Sequence, residues 1–286
     1  MSAAVLAGGW RAQLALQFEA IAGRTRLARR KHVGPLLVQR GFHPEGAVPG
    51  QVEPCHLYII HPPGGVASGD ALDLDVAVAR GAHALLTTPA AGKFYRCGAA
   101  GLARVTQTLK VAGGTLEWLP QENIYYPDAV VELRTLVQLS AAARFIGWEI
   151  GCLGLPASAQ SLAGGSLRLA LELWQEGRPL WLERLALDAE AQAARWGMAG
   201  RNALGTALAY PAGPLALERS RASLAADTAA NCAGITIACT LVDEVLVCRA
   251  TAGRADQLKD AFVRWWRAVR PALLGREAVP PRIWNT

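Results

Sequence analysis

The sequence predicts a mainly β protein whose last third turns helical. Three observations carry this. Apolar residues recur at every second position through residues 10–187, turn-forming residues punctuate those runs, and the spacing changes to that of an amphipathic helix near the C-terminus. Leu14, Leu16 and Phe18 alternate with Gln13, Ala15 and Gln17. Leu72, Leu74, Val76 and Val78 alternate with Asp73, Asp75 and Ala77. Val105, Leu109 and Val111 lie opposite Arg104, Thr106, Thr108 and Lys110, and Leu167, Leu169, Leu171 and Leu173 form a further row. Successive side chains of a strand point to opposite faces, so each run has one apolar and one mostly polar face. Pro62-Pro63-Gly64-Gly65, Gly113-Gly114, Gly164-Gly165 and Gly177-Arg178-Pro179 separate the runs. Such spacing suits a sandwich, a barrel or a β-solenoid and does not choose among them.

The C-terminal third reads differently. Pro214 to Ala226 suits a helix, with proline in the first turn and Leu215, Leu217 and Leu224 facing inward. Strands are expected near Ile235–Leu241 and Val245–Ala250. Leu258, Phe262, Trp265 and Val269 then share one helix face, with Asp256 near the start and Arg264, Arg267 and Arg270 towards the end, as the helix dipole favours. Pro271 and Gly275 are expected to stop that helix. Residues 188–200 are helical in composition but lack an apolar stripe. No linker or low-complexity segment divides the chain, so residues 1–286 read as one domain.

Composition narrows the function. With 52% hydrophobic and 18% charged side chains in 286 residues, the chain is not a disordered one. A net charge of +6 over that length is mild and does not imply nucleic-acid binding. Gly, Pro, Arg or Asp interrupts every apolar run short of a membrane span, and MSAAVLAGGW lacks the basic n-region of a secretory signal. The six cysteines, Cys55, Cys97, Cys152, Cys232, Cys239 and Cys248, form no CxxC pair and read as free thiols, which places the protein in the cytoplasm.

Candidate chemistry is sparse. Gly92-Lys93 is followed by Phe94, and no glycine stands five residues before Gly92 as a phosphate loop needs, so no nucleotide site is read there. Ser68, with His61, His83 and Asp70 nearby in sequence, supplies the ingredients of a hydrolase, yet Gly65-Val66-Ala67-Ser68-Gly69 is not GxSxG. A glycine-rich loop is the plainer reading, and a hydrolase centred on Ser68 or His61 is the rival. Cys55, His56 and His61 have metal-ligand chemistry, but on one extended strand Cys55 and His61 oppose His56.

Acids in apolar company stand out more: Asp70, Asp73, Asp75, Glu117, Glu122, Glu149 and Glu183. Burying a carboxylate costs several kcal/mol unless it is paired or meets a cation. Asp73 and Asp75 suit a solvated face, and Glu183 suits an ion pair with Arg184 or another arginine. For docking, adjacent Trp265 and Trp266 cannot both lie on one buried stripe, and the tail Pro280-Pro281-Arg282-Ile283-Trp284 adds another tryptophan. Trp265, Trp266, Arg282 and Trp284 are therefore candidate partner contacts, against a tail folded on its own core. A β-rich interaction module with no metal role is a second rival.

Five segments in order are similar to those of the UreD (UreH) family of urease accessory proteins. They are His61-Pro62-Pro63-Gly64-Gly65 with Gly69-Asp70, then Leu85-Leu86-Thr87-Thr88-Pro89 with Lys93-Phe94-Tyr95-Arg96. Leu116-Glu117-Trp118-Leu119-Pro120-Gln121-Glu122 and Gly147-Trp148-Glu149 follow. The last group is Trp265-Trp266, Arg270-Pro271, Leu273-Leu274-Gly275-Arg276 and Pro280-Pro281-Arg282-Ile283-Trp284. The resemblance spans Trp10 to the last residue, is weak over 188–212, and departs from many relatives at Ala90-Ala91-Gly92.

The resemblance implies stacked sheets of flattened, β-helix-like architecture with a few helices in the C-terminal third. It also implies a cytoplasmic, non-enzymatic scaffold that binds apo-urease and the UreF and UreG accessory proteins. Such a scaffold conducts nickel to the urease active site through an internal passage, as transient cargo and with no tightly bound cofactor. It places Asp70, Glu149 and Glu183 along that passage, His61 as a secondary contact, and Thr87 and Thr88 as polar wall. Isolated carboxylates suit a conduit, because oxygen donors hold nickel less tightly than thiolate or imidazole clusters.

Overall fold

The computed structural model describes residues 9–98, 101–229 and 234–285; the signal-sequence reading of residues 1–8 and the thiol of Cys232 lie outside them. Among the described residues, seventeen strands and three α-helices follow one another. The first eight strands are β1 (Arg11–Ile21), β2 (Arg24–Val33), β3 (Leu37–Val38), β4 (Cys55–Ile60), β5 (Ala71–Val78), β6 (His83–Thr87), β7 (Gly92–Phe94) and β8 (Ala103–Val111). Then come β9 (Thr115–Trp118), β10 (Asn123–Tyr125), β11 (Val130–Leu139), β12 (Arg144–Leu153), β13 (Ser166–Gln175) and β14 (Arg178–Asp188). The rest is α1 (Ala189–Ala193), β15 (Ala203–Tyr210), α2 (Pro214–Ala229), β16 (Ile235–Val242), β17 (Val245–Ala252) and α3 (Ala255–Leu274).

The chain winds as a flattened solenoid. A seven-stranded sheet runs β14-β13-β11-β8-β5-β1-β2, and its inner strands β1, β5, β8, β11 and β13 are all parallel. In the second sheet β4, β6, β9 and β12 are parallel too, so each coil passes from one sheet to the other and returns one strand further along. β5-β6-β7 and β8-β9-β10 are successive coils with three short sides. β12 alone is long enough to pair with β9 through Arg144–Gly147 and with β10 through Gly151–Leu153. Period-two alternation is therefore observed, and the register carries it from strand to strand: Leu16, Val76 and Leu109 fall in line and all are buried.

Past β12 the coil stops. β15, β17 and β16 add antiparallel, and α2 and α3 cover the outer face of the second sheet. One apolar core lies between the sheets, including Leu14, Leu74, Leu133 and Leu173; another lies between sheet and helices, including Trp148, Leu246, Phe262 and Trp265. The fold is thus three layers.

Some expectations are corrected. Trp265 and Trp266 are both fully buried, so neither is an exposed partner contact. Sheet and α2 cover one side of α3, and the C-terminal tail folds over another, widening the buried face beyond one stripe. Trp284 packs at 5.8 Å from Trp266 and 5.9 Å from Trp148, ring centre to ring centre, so it belongs to the core's cover, while Arg282 is exposed. Leu215 is 54% exposed; Ala216, Ser220 and Leu224 make the inward stripe of α2 instead. Pro271 sits inside the last turn of α3, and Gly275, at a left-handed φ of 62°, ends it.

Candidate functional site

Three cavities follow one another through the molecule. The first, of about 360 Å³, is lined by His61, Thr88, Lys93, Gln107, Asn123 and Glu149 among apolar groups. It shares Asn123, Glu149 and Ile150 with a second space of about 30 Å³, which Glu183 and Thr206 also line. That neck shares Leu185, Leu204, Gly205 and Thr206 with a third cavity of about 400 Å³ edged by Trp196 and Arg249. About 10–15 Å³ of such space admits one water, so the neck holds only a few waters and the outer cavities many more.

Strand register builds the neck. Glu149 of β12 stands opposite Thr206 of β15, and the Thr206 hydroxyl donates to Glu183 Oε1 at 2.8 Å from β14 of the other sheet. Glu183 is ion-paired through Oε2 to Arg249 at 3.3 Å. Thr135 contacts Glu149 Oε1 and also donates to Gln107 Oε1 at 2.9 Å. A hydroxyl has one proton, so both contacts are satisfied together when Glu149 is protonated and donates to Thr135. Burial, reinforced by the nearby Glu183 charge, pushes the Glu149 carboxyl up to about 7, against the opposing bond to Thr135. The neck therefore sets Glu149, a carboxyl whose pKa burial raises, beside Glu183, which is ion-paired to Arg249.

The remaining candidates divide. His61 lines the first cavity; burial lowers its pKa against the attraction of Asp70. Thr88 lines it as well and accepts from the Gln121 N–H at 3.0 Å. Asp70 does not line the three cavities: Oδ1 accepts from the Trp10 N–H and Oδ2 from the Ala67 N–H, each at 2.7 Å, so it ties the loop after the Pro-Pro-Gly-Gly turn to the residue before β1. Thr87 is turned towards the helix layer, donating to Leu119 O at 2.6 Å and accepting from Trp284 Nε1 at 2.8 Å. Ser68 donates to the carbonyls of Gly98 and Gly101 at 3.2 and 2.8 Å. Among the described residues, no three His, Cys, Asp or Glu side chains converge as a metal cluster.

The sequence reading missed a second polar centre. Glu117, fully buried on β9, accepts from Trp266 Nε1 at 2.6 Å and from Arg270 Nη2 at 2.9 Å, and lies 2.7 Å from His83 Nε2. Arg270 continues to Glu45 Oε1 at 2.6 Å, which also meets His56 at 2.7 Å, while Arg276 reaches Glu45 Oε2 at 3.4 Å. Two carboxylates thus face two guanidinium groups. Arg270 and His83 overcome the burial penalty and hold the Glu117 carboxyl well below its usual range. This network ties the end of α3 to the second sheet. Its one sequence signal was an acid inside Leu116-Glu117-Trp118; nothing local marked Glu45.

A family model described as UreD urease accessory protein matches residues 11–285. The chain belongs to the UreD family. Curated relatives named urease accessory protein UreD agree along nearly their whole length. That of Hahella chejuensis is 40% identical over 297 residues, spanning 100% of this chain and 93% of its own. That of Pseudomonas putida strain W619 is 43% identical over 281 residues, covering 97% and 95%, and that of Escherichia coli is 39% identical over 279 residues, covering 97% and 98%. The UreD relatives carry the name of an accessory protein, not of an enzyme. The solenoid with C-terminal helices expected from the UreD resemblance is the architecture observed. Among the described residues, no helix is long and apolar enough to cross a membrane.

Proposed function

We propose that this protein is a non-enzymatic scaffold of urease maturation that passes nickel to apo-urease through its chain of cavities, acting in the cytoplasm with UreF and UreG. The neck at Glu149 and Glu183 carries this reading. Two carboxyls face a space a few waters wide, between two wider cavities that share its walls. A divalent ion entering the neck sheds most of its water, and two oxygen donors replace part of that shell without forming a closed cage. Glu149 releases its proton as the ion arrives and takes one back as it leaves, so its own charge is present in the neck only while the ion is. Thr206 and Thr135 supply further oxygens, and His61 stands in the first cavity as a weaker stopping point.

Nickel-dependent urease activation, with co-purification of apo-urease, UreF and UreG as the control, tests it. Glu149→Gln and Glu183→Gln are expected to lower activation about 10–100-fold, the range for disturbed metal-site ligation, and to leave the complex intact. Undiminished activation with both variants rejects the conduit. Turnover of ester or amide substrates that is lost in Ser68→Ala favours the hydrolase instead.

A further inference from the structure

Almost the whole charge excess of this chain sits on one strand. β2 carries Arg24, Arg26, Arg29, Arg30 and Lys31, with His32 and no acid, and without those five cations the chain is within one unit of neutrality. β2 ends the seven-stranded sheet, bonded to β1 along one side. On its other side, Arg24 and Thr25 meet Glu53; among the described residues, the backbone of Arg26–Val33 pairs with no further strand. Arg24 is ion-paired to Glu53 at 2.5 Å; Arg26, Arg29, Arg30 and Lys31 are exposed and have no ion pair among the described residues.

Register decides what fits this edge. Arg29 and Lys31 stand opposite Gln17 and Ala15 on the outer face of the sheet, whereas Arg30 and His32 stand opposite the buried Leu16 and Leu14. Cations therefore flank the free backbone edge above and below. A nucleic acid lying against the sheet meets one of these rows, but a strand added in the sheet plane meets both with alternate side chains. A second copy of β2 brings the same charge and is repelled. A single lysine is enough to blunt an edge against aggregation; four unpaired cations in six residues make a field that attracts acids.

We infer that the Arg26–Val33 edge of β2 docks an acidic, extended segment of a partner protein, which adds to the seven-stranded sheet as a further strand. This surface is separate from the cavity neck, so the inference stands or falls apart from nickel conduction.

The test uses the full-length chain and three probes: a Glu-Val repeat peptide, a peptide of equal charge with proline at alternate valines, and oligothymidylate. Binding of the Glu-Val peptide is expected, weakened by salt and about tenfold tighter than the proline peptide, which lacks the N–H groups a ladder needs. Arg29→Glu with Lys31→Glu is expected to abolish it at an unchanged melting temperature. If that pair fails to fold, Arg30→Gln with Lys31→Gln is expected to weaken it several-fold. Equal binding of the two peptides leaves only diffuse charge attraction and overturns strand addition. Tighter binding of oligothymidylate assigns the edge to nucleic acid, and no binding of any probe leaves it as protection; either result overturns the inference.

Discussion

Two buried glutamates of this protein have opposite electrostatic fates, and the difference is in their partners. Glu149 has a hydroxyl and a neighbouring acid, so burial wins and its pKa rises to about 7; Glu117 has Arg270 and His83, so it stays ionised. The sign for stability follows. Between about 4.5 and 7 the folded chain keeps a proton on Glu149 that the unfolded chain has lost, so this group's contribution falls as pH rises through that window. Urea unfolding at both ends of it is expected to show Glu149→Gln relieving a loss of about 3 kcal/mol; parallel pH profiles for variant and wild type contradict this. For Glu117 the stabilisation is present above the ordinary carboxylate range and disappears as pH falls below it. Glu117→Gln removes one of the two carboxylates that the buried Arg270 faces, leaving Glu45, and is expected to cost about 3–5 kcal/mol in the same experiment. A cost below about 1 kcal/mol means the network is solvated.

At the scale of elements, α3 and the tail behave as one unit. Lys259 Nζ lies 4.1 Å from the centre of the Trp284 ring and 5.2 Å from that of Trp148, and burial pushes the amine down to about 7 against the pull of Glu122. Trp284→Ala uncovers this amine and empties the tail's seat on Trp148 and Trp266. The expected result is a loss of about 2–4 kcal/mol in thermal unfolding, with the Lys259 amine titrating nearer the usual lysine range by NMR. An unmoved titration means that the helix itself buries the amine. The α3 stripe of Leu258, Phe262, Trp265 and Val269 was legible because a helix repeats every turn. The burial of Trp266 was not, because it depends on Trp284 returning from outside the helix. Likewise β16 and β17 were legible as short strands, whereas Arg270 meets Glu45 across 225 residues of chain and Glu117 across 153, separations that no local pattern encodes.

On the scale of the whole molecule, the solenoid explains why cavities with shared walls lie in a row. Parallel coils keep two sheets apart by side chains alone, and where β12 gives way to antiparallel β15 the register sets small residues and acids among Leu169, Leu171, Leu185 and Leu204. Gly151, Gly205, Thr206, Glu149 and Glu183 line the neck, and the cavities meet there. Alternation in the sequence announced strands without announcing this seam, since Glu149 and Glu183 approach through the pairing of β12 with β15 and the Thr206 bond across to β14 of the other sheet, which sequence spacing does not determine. The most direct measurement is the nickel content of urease purified from cells making either the wild-type protein or the combined Glu149→Gln and Glu183→Gln variant. The account predicts urease nearly empty of nickel with the variant still bound in the maturation complex; fully loaded urease from those cells contradicts it.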